Sequence, residues 1–308
     1  MSYFENYVKK LKELEKCGAT VFCIGYSHLG RPIFCVKIGN GNKKIFIQSA
    51  IHAREHITCD LTIMLLKDML SSPPNGSLFV VPLSNPDGVS LAKNGLKSVD
   101  DSKEDVLMCK NIMPFCDCPK SKPQLVLNSI KKNLLIMNKN STDFSLWKAN
   151  IRGVDLNVNF DAKWGKGKQN VFTPGSQNYV GRFPNSESET KALSSFVRVL
   201  RPHMTISYHS KGEVIFYDFH QKGKQRKRDK TLAKEIAKIT GYAIKNSQNS
   251  AGGFKDFCIE KLKIPSLTIE VGKETLSHPI SKKHLLHIYS QNKKVIEKSL
   301  ALLDEHKV

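Results

Sequence analysis

No stretch of the 308-residue chain holds the roughly eighteen consecutive apolar residues of a membrane-crossing helix, so no such helix is expected. The N-terminus also lacks the apolar core and cleavage site of an export leader. Met1 to Gly18 instead sets Tyr3, Phe4, Tyr7, Val8, Leu11 and Leu14 among Lys and Glu, the pattern of an amphipathic helix, and a cytoplasmic location is the expectation. Eight cysteines are present, but the paired two-residue spacings of a structural zinc module are missing. Without an export signal they are expected to be reduced thiols, those of the Cys109, Cys116 and Cys118 cluster included. No internal repeat is visible.

Acidic residues are scarce, 28 against 48 Lys and Arg, for a formal charge of +20. Such an excess favours anionic partners: nucleic acid, a membrane surface, a cell-wall polymer or an acidic substrate. The densest basic run, Lys222 to Lys230, has no interleaved aromatics and no nucleic-acid motif beside it, so it reads as a solvated loop with no specific nucleic-acid partner. Apolar content of 40% and charged content of 25% exclude disorder and suit a globular chain with a substantial core.

The apolar run Ile45-Phe46-Ile47 reads as a buried strand, preceded by an antiparallel pair at Thr20 to Ile24 and Arg31 to Ile38. A helical stretch around Leu61 to Leu70 and a strand at Ser77 to Leu83 complete a β-α-β unit with parallel strands. Val89 to Trp147 is too poor in apolar residues for its own core and reads as an elaborate loop excursion on one domain spanning 1–308. Trp164 to Pro184 is a long loop. Ser186 and Glu189 form a capping-box pair for a helix toward Leu200. Strands follow at Met204 to Tyr208, Glu213 to Tyr217 and Ser266 to Val271, with helices at Lys230 to Ile239 and Ser281 to Leu303. The alternation predicts a mixed sheet covered by helices on both faces.

His52 and Glu55 stand where the first central strand hands over to its helix, and His209 ends a later strand. An imidazole pair and a carboxylate at strand ends suit zinc, which takes such ligands and leaves a position open for water. Zinc brings the pKa of that water toward neutrality, and a nearby carboxylate can take its proton as it attacks a carbonyl. Glu270, on a fourth strand, is the candidate base; the bland alternative is a salt-bridged core carboxylate.

His52-x-x-Glu55, Asn85-Pro86-Asp87-Gly88, Arg152-Gly153-Val154-Asp155-Leu156-Asn157, Ser207-Tyr208-His209-Ser210 and Thr268-Ile269-Glu270 occur in the order found in zinc metallocarboxypeptidases, which the chain resembles from about Tyr26 to Val271. The resemblance implies a three-layer α/β/α sandwich around a mixed, mainly parallel eight-stranded sheet, with one Zn2+ at its strand ends. His52, Glu55 and His209 would be the ligands and Glu270 the general base. Asp155 would accept a hydrogen bond from a ligand imidazole. Arg152 occupies the place where bacterial relatives keep an oxyanion-stabilising arginine. Arg54, Asn157 and Lys255 are the candidate substrate contacts.

One departure narrows the substrate. Digestive members read Asn-Arg-Asn after the aspartate and clamp a terminal carboxylate with that arginine, whereas this chain reads Asn157-Val158-Asn159. Valine cannot form the pair. The strings around Trp147-Lys148-Ala149-Asn150, Ser210-Lys211-Gly212 and Gly252-Gly253-Phe254-Lys255-Asp256 are most similar to bacterial γ-D-glutamyl-diaminopimelate peptidases. The expected partner is therefore an acidic muropeptide, with Lys255, and Arg182 or Lys211, supplying positive charge. A general C-terminal carboxypeptidase and a non-catalytic basic binding module are the alternatives.

Overall fold

The computed structural model describes residues 1–113, 117, 119–247 and 249–305. In chain order the elements are α1 (Tyr3–Lys16), β1 (Thr20–Tyr26), β2 (Pro32–Ile38), β3 (Lys44–Ser49), α2 (Ile57–Ser71), β4 (Ser77–Val81), α3 (Pro86–Asn94), α4 (Lys97–Ile112) and α5 (Gln124–Met137). Then come α6 (Ser188–Leu200), β5 (Met204–Ser210), β6 (Val214–Phe216), α7 (Gly223–Thr240), β7 (Ala243–Lys245), α8 (Phe254–Leu262), β8 (Ser266–Val271), α9 (Leu285–Asn292) and α10 (Val295–Glu305). The strands form one eight-stranded sheet in the order β1-β2-β4-β3-β5-β8-β6-β7. Its centre, β4-β3-β5-β8, is parallel throughout, while β1, β2 and β6 enter through antiparallel pairings.

The alternation of side chains along a strand divides the core in two. Phe34, Val36, Ile45, Ile47, Leu78 and Val80 face one side and pack with α1, α2, α7, α9 and α10. Ile33, Cys35, Phe46, Phe79 and Val81 face the other and meet α6 and α8 through Leu193, Val197, Phe254 and Phe257. Helices thus cover both faces of the apolar central strands, giving three layers. Because β3, β5 and β8 are parallel, their carboxyl ends open on one edge of the sheet, where a crevice forms between diverging loops.

Several elements differ from the sequence expectation. The excursion at 89–147 is largely helical, carrying the end of α3 with α4 and α5. Its buried positions, Val99, Val106 and Cys109 on α4 and Leu127 and Leu134 on α5, form narrow seams three to seven residues apart that join the main core. Such seams leave too few apolar residues for a helical pattern to stand out. Cys116 and Cys118 of the cysteine cluster lie outside the described residues. The basic run is not a loop either: from Gly223 it forms the first turns of α7, since Lys, Arg and Gln are good helix formers whatever their charge. The last helix is broken into a 3₁₀ turn, α9 and α10. Helix α6 starts at Ser188, because the Ser186 hydroxyl donates to Glu187 Oε1 at 2.8 Å rather than capping a helix.

The excursion is tied down by a buried ion network. Arg31, fully buried in the β1–β2 turn, donates through Nη1 to Asp87 Oδ1 (2.8 Å), through Nε to Asp105 Oδ2 (2.8 Å) and through Nη2 to the Ser98 carbonyl (2.6 Å). Burial alone would lower the guanidinium pKa, but the two carboxylates more than offset it and hold the charge. Breaking one partner of such a cluster strands the others in a low dielectric. Arg31→Met is expected to cost about 3–5 kcal/mol in urea unfolding, and a loss under about 0.5 kcal/mol would contradict this role.

Candidate metal centre

Strand β3 ends at Ser49, and the chain turns through Ala50, at positive φ, into a short 3₁₀ turn Ala53–Glu55 with His52 at its start. Side chains three apart eclipse in a 3₁₀ turn, which is why His52 and Glu55 face the same point. His209 reaches it from the end of β5. His52 Nδ1 lies 2.8 Å from Glu55 Oε1 and 3.1 Å from His209 Nδ1, and His209 Nδ1 lies 3.1 Å from Glu55 Oε2. All three residues are buried, and among the described residues they are the group able to hold a metal ion.

The donor chemistry fits zinc. Ligand arms of about 2.0–2.1 Å at tetrahedral angles separate neighbouring donors by roughly 3.3 Å, close to the spacings found here. The far nitrogen of each ring is occupied: His52 Nε2 sits 3.3 Å from Asp155 Oδ1, and His209 Nε2 lies 3.2 Å from Ser207 Oγ. The Asp155 carboxylate faces this nitrogen but is too poorly aligned for a full hydrogen bond. A proton on His52 Nε2 leaves its Nδ1 lone pair facing His209 Nδ1 and the Glu55 carboxylate, an arrangement that a cation completes.

Asp155 is fully buried and makes four contacts. Besides His52 it takes the Lys148 ammonium on Oδ2 (2.8 Å) and the backbone N–H groups of Asn157 (3.1 Å) and Asn178 (3.1 Å). Burial raises its pKa, but Lys148 and His52 outweigh it and hold the carboxyl well below its usual range. Glu270 stands opposite His209 in the β5–β8 register. Its pKa is raised to about 7, mainly by burial and further by the Glu55 charge, while His209 and Lys148 pull it down.

His52 and Glu270 open into a cavity of about 550 Å³ whose other walls include Lys148, Asn157, Lys255 and Asp256. Val158 is there too, with no guanidinium at that position. Asn157 is fixed by accepting the Phe254 N–H at 3.0 Å, which starts α8. Lys255 is buried, donating to Asp218 O (2.6 Å) and Asp256 Oδ1 (2.7 Å), with its charge over the Phe219 ring. Arg54, a candidate substrate contact in the sequence, is not among the residues lining this cavity and donates to Gln177 Oε1 at 3.4 Å. Lys211 pairs with Glu274 at 3.7 Å.

Arg152 corrects the sequence reading. Its side chain lines a different cavity with Glu187, 3.8 Å from its guanidinium, and Arg182 lies there as well. Position in a turn says nothing of the side on which a side chain emerges. The cation beside the ligands is Lys148, to which the sequence reading gives no role although it stands in the Trp147 to Asn150 string. Its signal is the neighbouring Trp147, fully buried, whose indole N–H donates to the Asn150 carbonyl at 3.1 Å and so fixes this loop.

Residues 4–294 match the zinc carboxypeptidase family. The chain is 32% identical over 274 residues to γ-D-glutamyl-L-diamino acid endopeptidase 1 of Lysinibacillus sphaericus, an alignment covering 84% of this chain and 62% of that one. It is 28% identical over 314 residues to an uncharacterized Bacillus subtilis protein, covering 95% and 75%. Bovine thrombin-activatable fibrinolysis inhibitor, solved with a tick carboxypeptidase inhibitor, superposes with a TM-score of 0.72 over 99% of this chain and 98% of that one, at 18% identity. That likeness establishes the fold.

His52→Ala and His209→Ala are expected to abolish stoichiometric zinc binding by metal analysis, and Asp155→Asn to weaken it roughly 10- to 100-fold. Equal zinc in His52→Ala and wild type would remove these residues from the centre.

Proposed function

The chain belongs to the zinc carboxypeptidase family, and from that premise we propose that it hydrolyses the bond between γ-D-glutamate and diaminopimelate in cell-wall stem peptides. The observation that carries the substrate choice is the buried Lys255–Asp256 pair in the wall of a cleft that has Val158 where a carboxylate-clamping arginine would stand. A cleft carrying both charges suits a residue with its own ammonium and carboxylate better than an ordinary apolar C-terminal residue. The name of the Lysinibacillus relative, an endopeptidase for γ-D-glutamyl-L-diamino acids, agrees with that chemistry.

Zinc, when bound, polarises the scissile carbonyl and makes water a competent nucleophile near neutral pH. Glu270 takes the proton of the attacking water and returns it to the leaving amine, a task suited to a carboxyl that burial has lifted toward neutrality. Lys148 offsets the negative charge that develops on the carbonyl oxygen. Asp155 holds both Lys148 and His52 in place for this.

Glu270→Gln is expected to keep its zinc while losing roughly two to four orders of magnitude in kcat, and a near wild-type rate would require another base. Because the base works ionised, kcat/KM should fall as pH drops through the Glu270 pKa. That acidic limb lies at about 7 or below, since a bound dication stabilises the carboxylate further. A rate that climbs below pH 6 would contradict the assignment. The substrate is tested by incubating the zinc enzyme with L-Ala-γ-D-Glu-meso-diaminopimelate and with blocked α-linked dipeptides, with products read by mass spectrometry. Diaminopimelate released from the first alone is the expected result. Trimming of the dipeptides with the stem peptide untouched would return the chain to the general carboxypeptidases.

A further inference from the structure

A second cavity, of about 460 Å³, lies beside the catalytic cleft and takes no part in the chemistry above. One wall is aliphatic, made by Ile130, Ile136 and Met137 of α5 together with Ile151 and Val154. Ile136 leaves 61% of its surface to water, so this wall is open to a ligand. The other wall is polar and cationic, with Arg152, Arg182, His28 and Glu187.

The charges there do not cancel. Glu187, nearly fully buried, already accepts the Ser186 hydroxyl on Oε1 (2.8 Å) and the Asn150 amide on Oε2 (2.9 Å). Arg152 approaches it only to 3.8 Å, outside hydrogen-bond range, and Arg182 is exposed with no ion pair among the described residues. Two guanidinium groups with donors to spare thus stand over an open aliphatic wall. Guanidinium recognises a carboxylate by paired N–H donors, and the wall gives a chain attached to it somewhere dry to lie.

We propose that this cavity is a second ligand site for an anionic amphiphile, a carboxylate bearing an aliphatic chain, held by Arg152 and Arg182 at one end and by Ile130, Ile136 and Met137 along its length. The strap between the cavities links them: Asn178 lines the cleft and Tyr179 the second cavity. Both are bonded to Asp155, whose Oδ2 accepts the Asn178 N–H at 3.1 Å and whose own N–H donates to the Tyr179 carbonyl at 2.9 Å. An occupant of the second cavity therefore rests on the segment that also holds Asp155. The proposal stands apart from the peptide substrate.

The test is calorimetric titration of the zinc-loaded full chain with octanoate, octylammonium and acetate below micellar concentrations, with no peptide present. Octanoate should bind one per chain, with octylammonium and acetate at least about tenfold weaker. Arg182→Gln, at an exposed position that does not threaten folding, and Ile136→Asp should each weaken octanoate roughly tenfold or more. Lys168→Met, at an exposed position in the wall of the catalytic cleft, should leave it unchanged. Equal binding of octanoate and octylammonium, loss of binding in Lys168→Met, or unchanged binding in both Arg182→Gln and Ile136→Asp would overturn the proposal.

Discussion

A carboxylate with no exposure to water keeps its charge at Asp155, and the site depends on that. Desolvation opposes the ionised form, and only the Lys148 ammonium at 2.8 Å, the His52 ring at 3.3 Å and two backbone N–H groups reverse it. The same contacts run outward. One faces a ring of the candidate metal centre, one fixes the cation that lines the cleft beside it, and two fasten loops that wall the cleft. A neutral residue there would leave the Lys148 ammonium without its ion-pair partner among the described residues and His52 with Glu55 as its remaining carboxylate neighbour.

The sheet supplies the frame. Parallel pairing of β3, β5 and β8 brings Ser49, His209 and Glu270 to one edge, and helices on both faces keep those strands dry and straight. The 3₁₀ turn after β3 then does locally what the sheet does globally, by eclipsing His52 and Glu55. Rigid strand ends are a better platform for a metal than loops, since the donor spacing is set before the ion arrives. The long 164–184 segment, without a helix or strand of its own, supplies instead the cleft wall and the strap that parts the two cavities.

The placement of the site was legible where its residues sat at the junction of an apolar run and a turn. His52, Glu55, His209 and Glu270 all occupy such junctions, and the alternation of strands and helices already implied the covered mixed sheet. Lys148 and Arg152 were not separable in this way. They stand four residues apart in one turn-rich stretch, and only the folded chain separates them, with Lys148 paired to Asp155 and Arg152 turned toward Glu187. Helices α4, α5 and the start of α7 escaped for another reason: their buried seams are one residue wide or absent, so polar and basic positions hid the period. In Lys255 a residue type usually exposed is instead buried, because a carboxylate, a carbonyl and an aromatic face stand ready to receive it.

The candidate metal ligands are two imidazoles and one carboxylate, in a chain that also carries eight cysteines. X-ray absorption at the zinc edge of the loaded protein tests this set directly, since sulfur and light-atom ligands differ in both distance and scattering. The expected first shell is nitrogen and oxygen only, at about 2.0–2.1 Å, with the outer-shell signature of two imidazole rings. A sulfur scatterer near 2.3 Å would contradict it and move the metal to the cysteines.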